Sequence, residues 1–426
     1  MINQRDQFID NLFNDLKKKQ VATCYSKFNL RSNPFPIAGL PTVDLPPIDS
    51  SIEEKIRHFI ISTYNENKYS GLTIVGDYGS GKTHLLKNIK TIIDDMTKNA
   101  QVYKSDFAAV TVFIDRPDDS PQRVVHKIIE EIGVDKVRKY IWKIVINKLA
   151  EDIPEFEKQF RPKGFLIKTA SEQWMKLFEE PVRSNYLDFL GHFKKLNGNF
   201  TKLQEKTRKI IVEQIVQDRS LADRYMDLIL SEEEKEADTS WEVLAGHITK
   251  KDLQHKEIDF LNSIVEILNK VGFKHLYIFI DEFEDIGKLS SVKKTNYLLT
   301  LVTLINKSTH WSVIVSLTDP VLQGEIKKEP PLFDRLTTTR LDLKRLRIEE
   351  GKKLLSRYLN LVRDAQSNDT LPFTAEGVKR MLDISKGNCR SFLLLAYDAL
   401  EIAAKDDATT QIDVNIVDKA KGLRGV

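Results

Sequence analysis

Residues 76–84 read GDYGSGKTH, between the apolar run GLTIV at 71–75 and the segment LLKNIKTIIDDM at 85–96. Glycine stands at 76, 79 and 81, and Lys82 and Thr83 follow directly. Sparse side chains where a strand gives way to a helix suit one task. A phosphate chain carries several charged oxygens close together, and backbone N–H groups reach them only where no Cβ obstructs the approach. A helix opening near Lys82 adds its unpaired first-turn N–H groups and the positive end of its dipole. Lys82 then reaches the terminal phosphates and the Thr83 hydroxyl holds Mg²⁺. The spacing therefore predicts a P-loop in which Gly76, Asp77, Tyr78, Gly79, Ser80, Gly81, Lys82, Thr83 and His84 surround the phosphates of a bound ligand.

A P-loop calls for a second motif, a buried strand ending in acids. YIFIDEFED at 277–285 supplies it. Its apolar run carries Asp281 to the C-terminal edge of a sheet, where ligands of open α/β sheets bind. Asp281 is the expected second metal-binding residue after Thr83, acting through water, and Glu282 the expected base that orients the attacking water. VIVSLTDP at 313–320 reads as the strand between the two motifs, with Thr318 at its tip facing the terminal phosphate and Ser316 as the alternative. PPLFDRL at 330–336 sets Arg335 at a helix end facing outward, and KGNCRSFLLLAYDAL at 386–400 sets Arg390 at the start of a helix. One arginine would report on the phosphate of its own subunit, and the other would reach a neighbour's.

Outward from these motifs, short apolar runs at 71–76, 108–115, 275–282 and 310–319, with a shorter one at 337–346, alternate with helical patterns. Alternation of this kind predicts a parallel sheet with helices on both faces. From about 140 to 256 strand-like runs vanish and charged helical segments take over, which predicts a helical insertion; the last eighty or so residues read as three or four helices. Ahead of the sheet, an amphipathic helix is expected over 5–19. A proline-rich stretch, NLRSNPFPIAGLPTVDLPPIDS at 29–50, should be extended and irregular.

With 65 basic and 62 acidic residues the formal charge is only +3. Any nucleic-acid contact must therefore come from a local patch, such as KVRKYIWKIVINK at 136–148 or KTRKI at 206–210, rather than from the total. Two cysteines, Cys24 and Cys389, argue against a disulfide scaffold and fit a reducing cytoplasm. No apolar run approaches the roughly 18 residues a spanning helix needs.

These motifs together resemble AAA+ ATPases of the Orc/Cdc6-like group: GDYGSGKTH is similar to Walker A, YIFIDE to Walker B, SLTD to sensor 1 and GNCR to sensor 2 in a helical lid. NPF at 33–35 is similar to a segment of transposition and secretion ATPases that lies near the adenine. More closely, DYGSGKTH, LAGHITKKDL and VGFKHLYIFIDEFEDI resemble the ATP-binding proteins of phage-exclusion (BREX) systems. The resemblance implies an α/β fold, a parallel-sheet P-loop AAA+ core with a helical insertion and a C-terminal α-helical lid. Its parts would be an N-terminal helix and proline-rich segment (1–50), the first part of the core (51–139), the insertion (140–256), the second part of the core (257–343) and the lid (344–426). Orc-type initiators carry a winged-helix domain after the lid, and no such signal follows here, which sets replication initiation in doubt.

The expected function is a cytoplasmic, Mg²⁺-dependent ATPase acting as a switch or motor subunit on DNA, in defence against foreign DNA. Lys82, Glu282, Thr318, Arg335 and Arg390 would carry catalysis, a homo-oligomer would form through Arg335, and DNA or a DNA-bound protein would meet the 140–256 insertion. The alternatives are an ATP-binding scaffold with little turnover that recruits an effector through the insertion, an ATPase resembling replication initiators or transposition regulators, and a small-molecule kinase.

Overall fold

The computed structural model describes residues 24–37, 50–66, 69–117, 127–128, 130–161, 167–230, 253–306 and 310–424. The helix expected over 5–19 and most of LAGHITKKDL lie outside them.

Five strands form one parallel sheet in the order β2-β3-β4-β1-β5: β1 Gly71–Gly76, β2 Ala109–Ile114, β3 His275–Ile280, β4 Trp311–Leu317 and β5 Thr339–Leu343. Every residue of β3 and β4 is buried, which is why their sequences are mostly apolar runs rather than alternating ones, with the few polar members, His275, Ser312 and Ser316, buried as well. β2 pairs with β3 from Ala109 opposite His275 to Ile114 opposite Ile280, and β3 pairs with β4 from Leu276 opposite Trp311 to Ile280 opposite Val315. In this order β4 stands between β3 and β1, as expected for the strand between the two motifs. The strand bearing the acids stops at Ile280, not at Glu282. Glu282 turns to φ 48°, ψ 38°, a left-handed conformation that no strand continues through.

Contacts divide the chain into two compact units, one of residues 1–54, 74–88 and 341–426, the other of 55–73 and 89–340. In the first, helices α13 (Ile348–Asn360), α14 (Ala375–Ser385), α15 (Cys389–Lys405) and α16 (Val414–Arg424) form a bundle, here numbered after the helices of the other unit. Its core includes Leu355, Leu359, Met381, Phe392, Ala396, Leu400 and Val417, all fully buried. Phe28, Leu30 and Phe35 of the proline-rich segment join that core, with the Phe35 ring 5.7 Å from both Tyr358 and Phe373. Asn33 holds the segment down, its amide donating to the Tyr397 carbonyl and to Glu401, both at 3.1 Å. NPF at 33–35 is thus a staple on the bundle: Asn33 supplies the hydrogen bonds, Phe35 the buried area, and the proline between them fixes the bend.

In the second unit helices α3 (Val134–Leu149), α4 (Ile153–Phe160), α5 (Ile167–Lys176), α6 (Tyr186–Lys195), α7 (Phe200–Gln214) and α8 (Arg219–Leu230) stand where the sequence loses its strands. Side-chain caps start α4, α6 and α7: Asp152 accepts from the Glu155 N–H, Asn185 from Leu187 and Asn199 from Lys202. Their core is aromatic, with Phe156, Phe160, Trp174, Phe178, Phe189 and Phe193 in edge-to-face and tilted contacts. α3 packs against α9 (Leu253–Lys270), the helix that leads into β3, and the Tyr225 hydroxyl of α8 bonds Ser263 of α9.

At the start of β3, His275 is buried with Nε2 2.9 Å from the Ser312 hydroxyl. Burial, reinforced by repulsion from His310, lowers its imidazole to about 3 from 6.5. Between those two values the unfolded chain binds one proton more than the folded one. Stability therefore falls as pH drops through that window, by at most about 1.4 kcal/mol per pH unit. Thermal midpoints measured from about pH 7 down to about pH 5 should fall in the parent and fall less steeply in His275→Gln; equal slopes would remove His275 as the cause.

Candidate functional site

The loop predicted to bind phosphate lies between β1 and α2 (Lys82–Asn99). Gly79 and Gly81 have φ of +76° and +100°, conformations in which a side chain is strained. A Cβ at Gly81 would meet nothing within 4 Å, so its demand is conformational; one at Gly79 would lie 2.7 Å from the Asn388 amide oxygen, so its demand is also one of space. Gly76 leaves room for Ser80, whose hydroxyl would be 2.4 Å from an added Cβ. That Ser80 hydroxyl is buried and has no hydrogen-bond partner among the described residues. Because α2 opens at Lys82, its first-turn N–H groups face out of the helix end.

Lys82 is buried and folded back over the loop, its Nζ 3.0 Å from the Gly76 carbonyl, 3.4 Å from that of Asp77 and 5.3 Å from the centre of the Tyr78 ring. Thr83 and Asp77 are exposed, His84 is half-buried, and the Tyr78 ring is 68% exposed. From the bundle, Arg345 reaches Asp77 at 3.1 Å, Asn388 donates to the Tyr78 carbonyl, and the Arg390 N–H donates to the Gly79 carbonyl at 2.9 Å. Arg390 is exposed in the first turn of α15. Sequence reasoning missed Arg345 and Asn388. The signal for Asn388 was present, since an asparagine directly before a helical run marks a cap, but a cap alone does not say what else the amide can hold.

In the second unit, Asp281 is 6% exposed and its N–H donates to the Ile114 carbonyl at 2.9 Å, which continues the β2–β3 ladder one residue past the strand. The Ser316 hydroxyl donates to the Asp281 carboxylate and accepts from the Glu282 N–H at 3.2 Å. Ser316, the alternative to Thr318, is therefore the residue of β4 that touches the acids, while Thr318 sits at the N-cap of α11 (Asp319–Gly324). The Glu282 carboxylate pairs with Arg116, Nε to Oε2 at 3.1 Å. Arg116 follows β2 in VFIDRPDD and was not singled out from sequence. Arg335 is exposed in the last turn of α12 (Pro330–Leu336), and nearby Arg340 is paired with Asp319 at 3.0 Å.

Among the described residues no group of three or more His, Cys, Asp or Glu side chains gathers as a metal site, and no helix is long and apolar enough to cross a membrane. A magnesium ion that arrives with a triphosphate needs no such cluster; one hydroxyl and one carboxylate, with phosphate oxygens and water, complete an octahedron.

A glycine-rich turn between a strand and a helix, in a parallel α/β sheet of this order, defines a P-loop nucleotide-binding protein. The family model for the BREX system ATP-binding protein BrxC/D matches residues 61–347, more than half of the chain, and the chain belongs to that family. The resemblance to phage-exclusion ATP-binding proteins is thereby borne out. No curated protein matches the chain. Among solved structures it is similar to the Aeropyrum pernix ORC1 protein in complex with DNA, with 11% identity, 91% of this chain and 68% of that chain covered and a TM-score of 0.44. It is also similar to the Aeropyrum pernix ORC2 protein in ADPNP-ADP complexes, at 12% identity, 89% and 68% coverage and a TM-score of 0.45. For Drosophila ORC bound to DNA the values are 12% identity, 90% and 64% coverage and a TM-score of 0.43.

Ser316→Ala should lower the urea midpoint of unfolding, because it leaves the buried Asp281 carboxylate and the Glu282 N–H each a partner short, at a cost of about 1–3 kcal/mol. A midpoint equal to the parent's would mean that both groups are satisfied elsewhere.

Proposed function

We propose that this protein is a cytoplasmic, Mg²⁺-dependent ATP hydrolase that works as a nucleotide-controlled switch or motor subunit on DNA in defence against foreign DNA. The observation that carries the reading is the loop itself: left-handed glycines, a buried lysine folded over the carbonyls of Gly76 and Asp77, and a helix opening at that lysine. Membership of a BREX ATP-binding family supports the ligand and the defensive setting.

In this reading Gly76, Asp77, Tyr78, Gly79, Ser80, Gly81, Lys82, Thr83 and His84 surround the triphosphate. Lys82 leaves its carbonyl partners for the terminal phosphates, an exchange of neutral acceptors for charged ones that strengthens every bond it makes. Thr83 and Asp281 would hold Mg²⁺, which would supply charge neutralisation at the phosphates. Glu282 accepts the proton of the attacking water after parting from Arg116. Thr318, with Ser316 as the alternative, faces the terminal phosphate, and Arg390 faces it from the lid at 344–426. The parts of the chain are the N-terminal segment 1–50, the core at 51–139 and 257–343, and the insertion 140–256 that meets DNA or a DNA-bound partner. On the insertion Lys202 and Lys206 are the forward basic groups, since Arg208 pairs with Asp223 at 2.5 Å and Lys209 with Glu213 at 3.7 Å.

One observation favours a second reading, an ATP-binding scaffold with little turnover. Glu282 is held by Arg116 in a left-handed backbone, away from the free state a base requires. Phosphate release by the parent, measured with and without DNA, separates the two readings: sustained turnover supports the hydrolase, and tight ATP binding without turnover supports the scaffold.

Lys82→Ala should abolish ATP binding in equilibrium titration. Glu282→Gln should bind ATP like the parent and hydrolyse it about a hundredfold or more slowly, since general-base help is worth roughly 10²–10⁴. Full turnover in Glu282→Gln would move the base elsewhere, with Glu284 first to be tried.

Arg335 is the residue proposed to act on a neighbouring subunit, where its planar guanidinium offers two parallel donors to a phosphate. Turnover per subunit should rise with protein concentration while ATP affinity stays level. A mixture of Arg335→Ala with Lys82→Ala should regain part of the parent's activity, because some interfaces then hold one intact half of each. Flat turnover and no rescue would leave Arg335 an ordinary surface arginine.

A further inference from the structure

Three consecutive residues of the P-loop are held by the C-terminal bundle and the segment that leads into it. Asp77 receives Arg345, whose Nη2 and Nε both reach Oδ2, at 3.1 and 3.3 Å. The Tyr78 carbonyl accepts from Asn388 Nδ2, and the Gly79 carbonyl from the Arg390 N–H. We propose that Asn388 and Arg345 are positioning residues for nucleotide binding: the α14–α15 turn sets the shape of the phosphate-binding loop by gripping its outward carbonyls. This rests on the reading of the loop as the phosphate site.

The local chemistry explains why the turn can do this. α14 ends with Lys386 at φ 49° and Gly387 at φ 71°, a tight left-handed reversal. A Cβ at Gly387 would lie 2.8 Å from the Leu346 carbonyl, so the reversal is pressed against the segment that carries Arg345. The Leu346 N–H donates to the Gly387 carbonyl at 2.8 Å and locks the two together. Arg345 and Asn388 are therefore presented by one rigid piece.

Asn388 has two jobs at once. Its Oδ1 accepts from the Ser391 N–H at 3.1 Å and caps α15, while its Nδ2 holds the Tyr78 carbonyl. A side-chain amide offers an acceptor and a donor on two separate atoms, which is what the two bonds use. Gly79 answers from the loop: a Cβ there would meet Asn388 Oδ1 at 2.7 Å and Arg390 Cβ at 3.0 Å, so the loop comes this close to the bundle because its residue is glycine. Holding the Tyr78 C=O fixes the Gly79 N–H on the other side of the same peptide unit, and N–H groups are what such a loop offers to phosphate; the Ser80 N–H, fixed in the same way by the grip on the Gly79 C=O, donates to the Asp77 carbonyl at 3.2 Å.

The two jobs separate in one substitution. Asn388→Asp keeps the oxygen that caps α15, since aspartate is as good an N-cap, and loses the donor to Tyr78. In the nucleotide-free full chain, amide hydrogen exchange of peptides covering 76–84 should quicken, while peptides within α14 and α15 stay as protected as in the parent. With Mg²⁺-ATP as the probe, KM and the nucleotide dissociation rate should rise about 2- to 10-fold, the worth of one neutral hydrogen bond, with kcat within about twofold. Arg345→Ala should move the same quantities in the same direction by less, because its pair with Asp77 is two-thirds exposed. Unchanged exchange over 76–84, or quickened exchange throughout α14 and α15, overturns the proposal; the second outcome would make Asn388 a structural cap alone. If the parent binds no ATP, the phosphate reading fails, and the exchange arm still decides whether the turn positions the loop.

Discussion

A loop that offers bare backbone to a ligand has almost nothing with which to hold itself. Side chains large enough to brace it would block the approach of phosphate, and glycines that permit its left-handed turns also give it the most freedom to lose. In this protein the shortfall is made up from outside. The carbonyls of Tyr78 and Gly79 are tied to the turn before α15, and the Asp77 carboxylate to Arg345. Lys82 uses the carbonyls of Gly76 and Asp77 from within. Hydrogen bonds are directional and short-ranged, so a few at fixed points define the loop where bulk packing cannot.

That constraint gives the bundle and its N-terminal staple a purpose in common. Phe28, Leu30 and Phe35 enter the core around Leu355, Leu359 and Phe392, so a segment far away in sequence completes the body from which Asn388 and Arg345 project. Burying an aromatic ring is worth about 1.5–3 kcal/mol, more than any single bond to the loop. The hierarchy is thus large apolar terms that fix the bundle and small polar terms that transmit its position. Weak terms suffice because the rigid piece they belong to has already been ordered.

The sheet was legible in the sequence because fully buried strands leave the plainest trace, a short and mostly apolar run. β3 and β4 are buried at every position, and each appears as such. The loop was legible because its glycines, lysine and threonine sit at fixed spacing. Ser316 was only half legible: it lies inside an apolar run, and nothing in one dimension says that it faces the acids while Thr318 begins a helix. Arg116 and Arg345 were illegible for the same reason. Each is an exposed arginine just after or just before regular structure, the commonest bland position in any chain, and only the fold brings it to a carboxylate. Contacts between residues more than a hundred positions apart have no period for a pattern to show.

The end of β3 brings these strands of reasoning to one residue. Asp281 is buried and held by the Ile114 carbonyl through its N–H and by Ser316 through its carboxylate, so its place is fixed by the sheet. Glu282 follows at φ 48°, a conformation that costs a non-glycine residue about 1–3 kcal/mol unless its surroundings impose it. Two contacts do so: the Ser316 hydroxyl takes its N–H, and Arg116 takes its carboxylate. The first bond is part of the same buried serine that fixes Asp281 and does not release easily. The second is an exposed pair of the kind worth at most about 1 kcal/mol. Of the two constraints on the expected base, the backbone one therefore belongs to the buried sheet, and the side-chain one is the weaker and the more exposed.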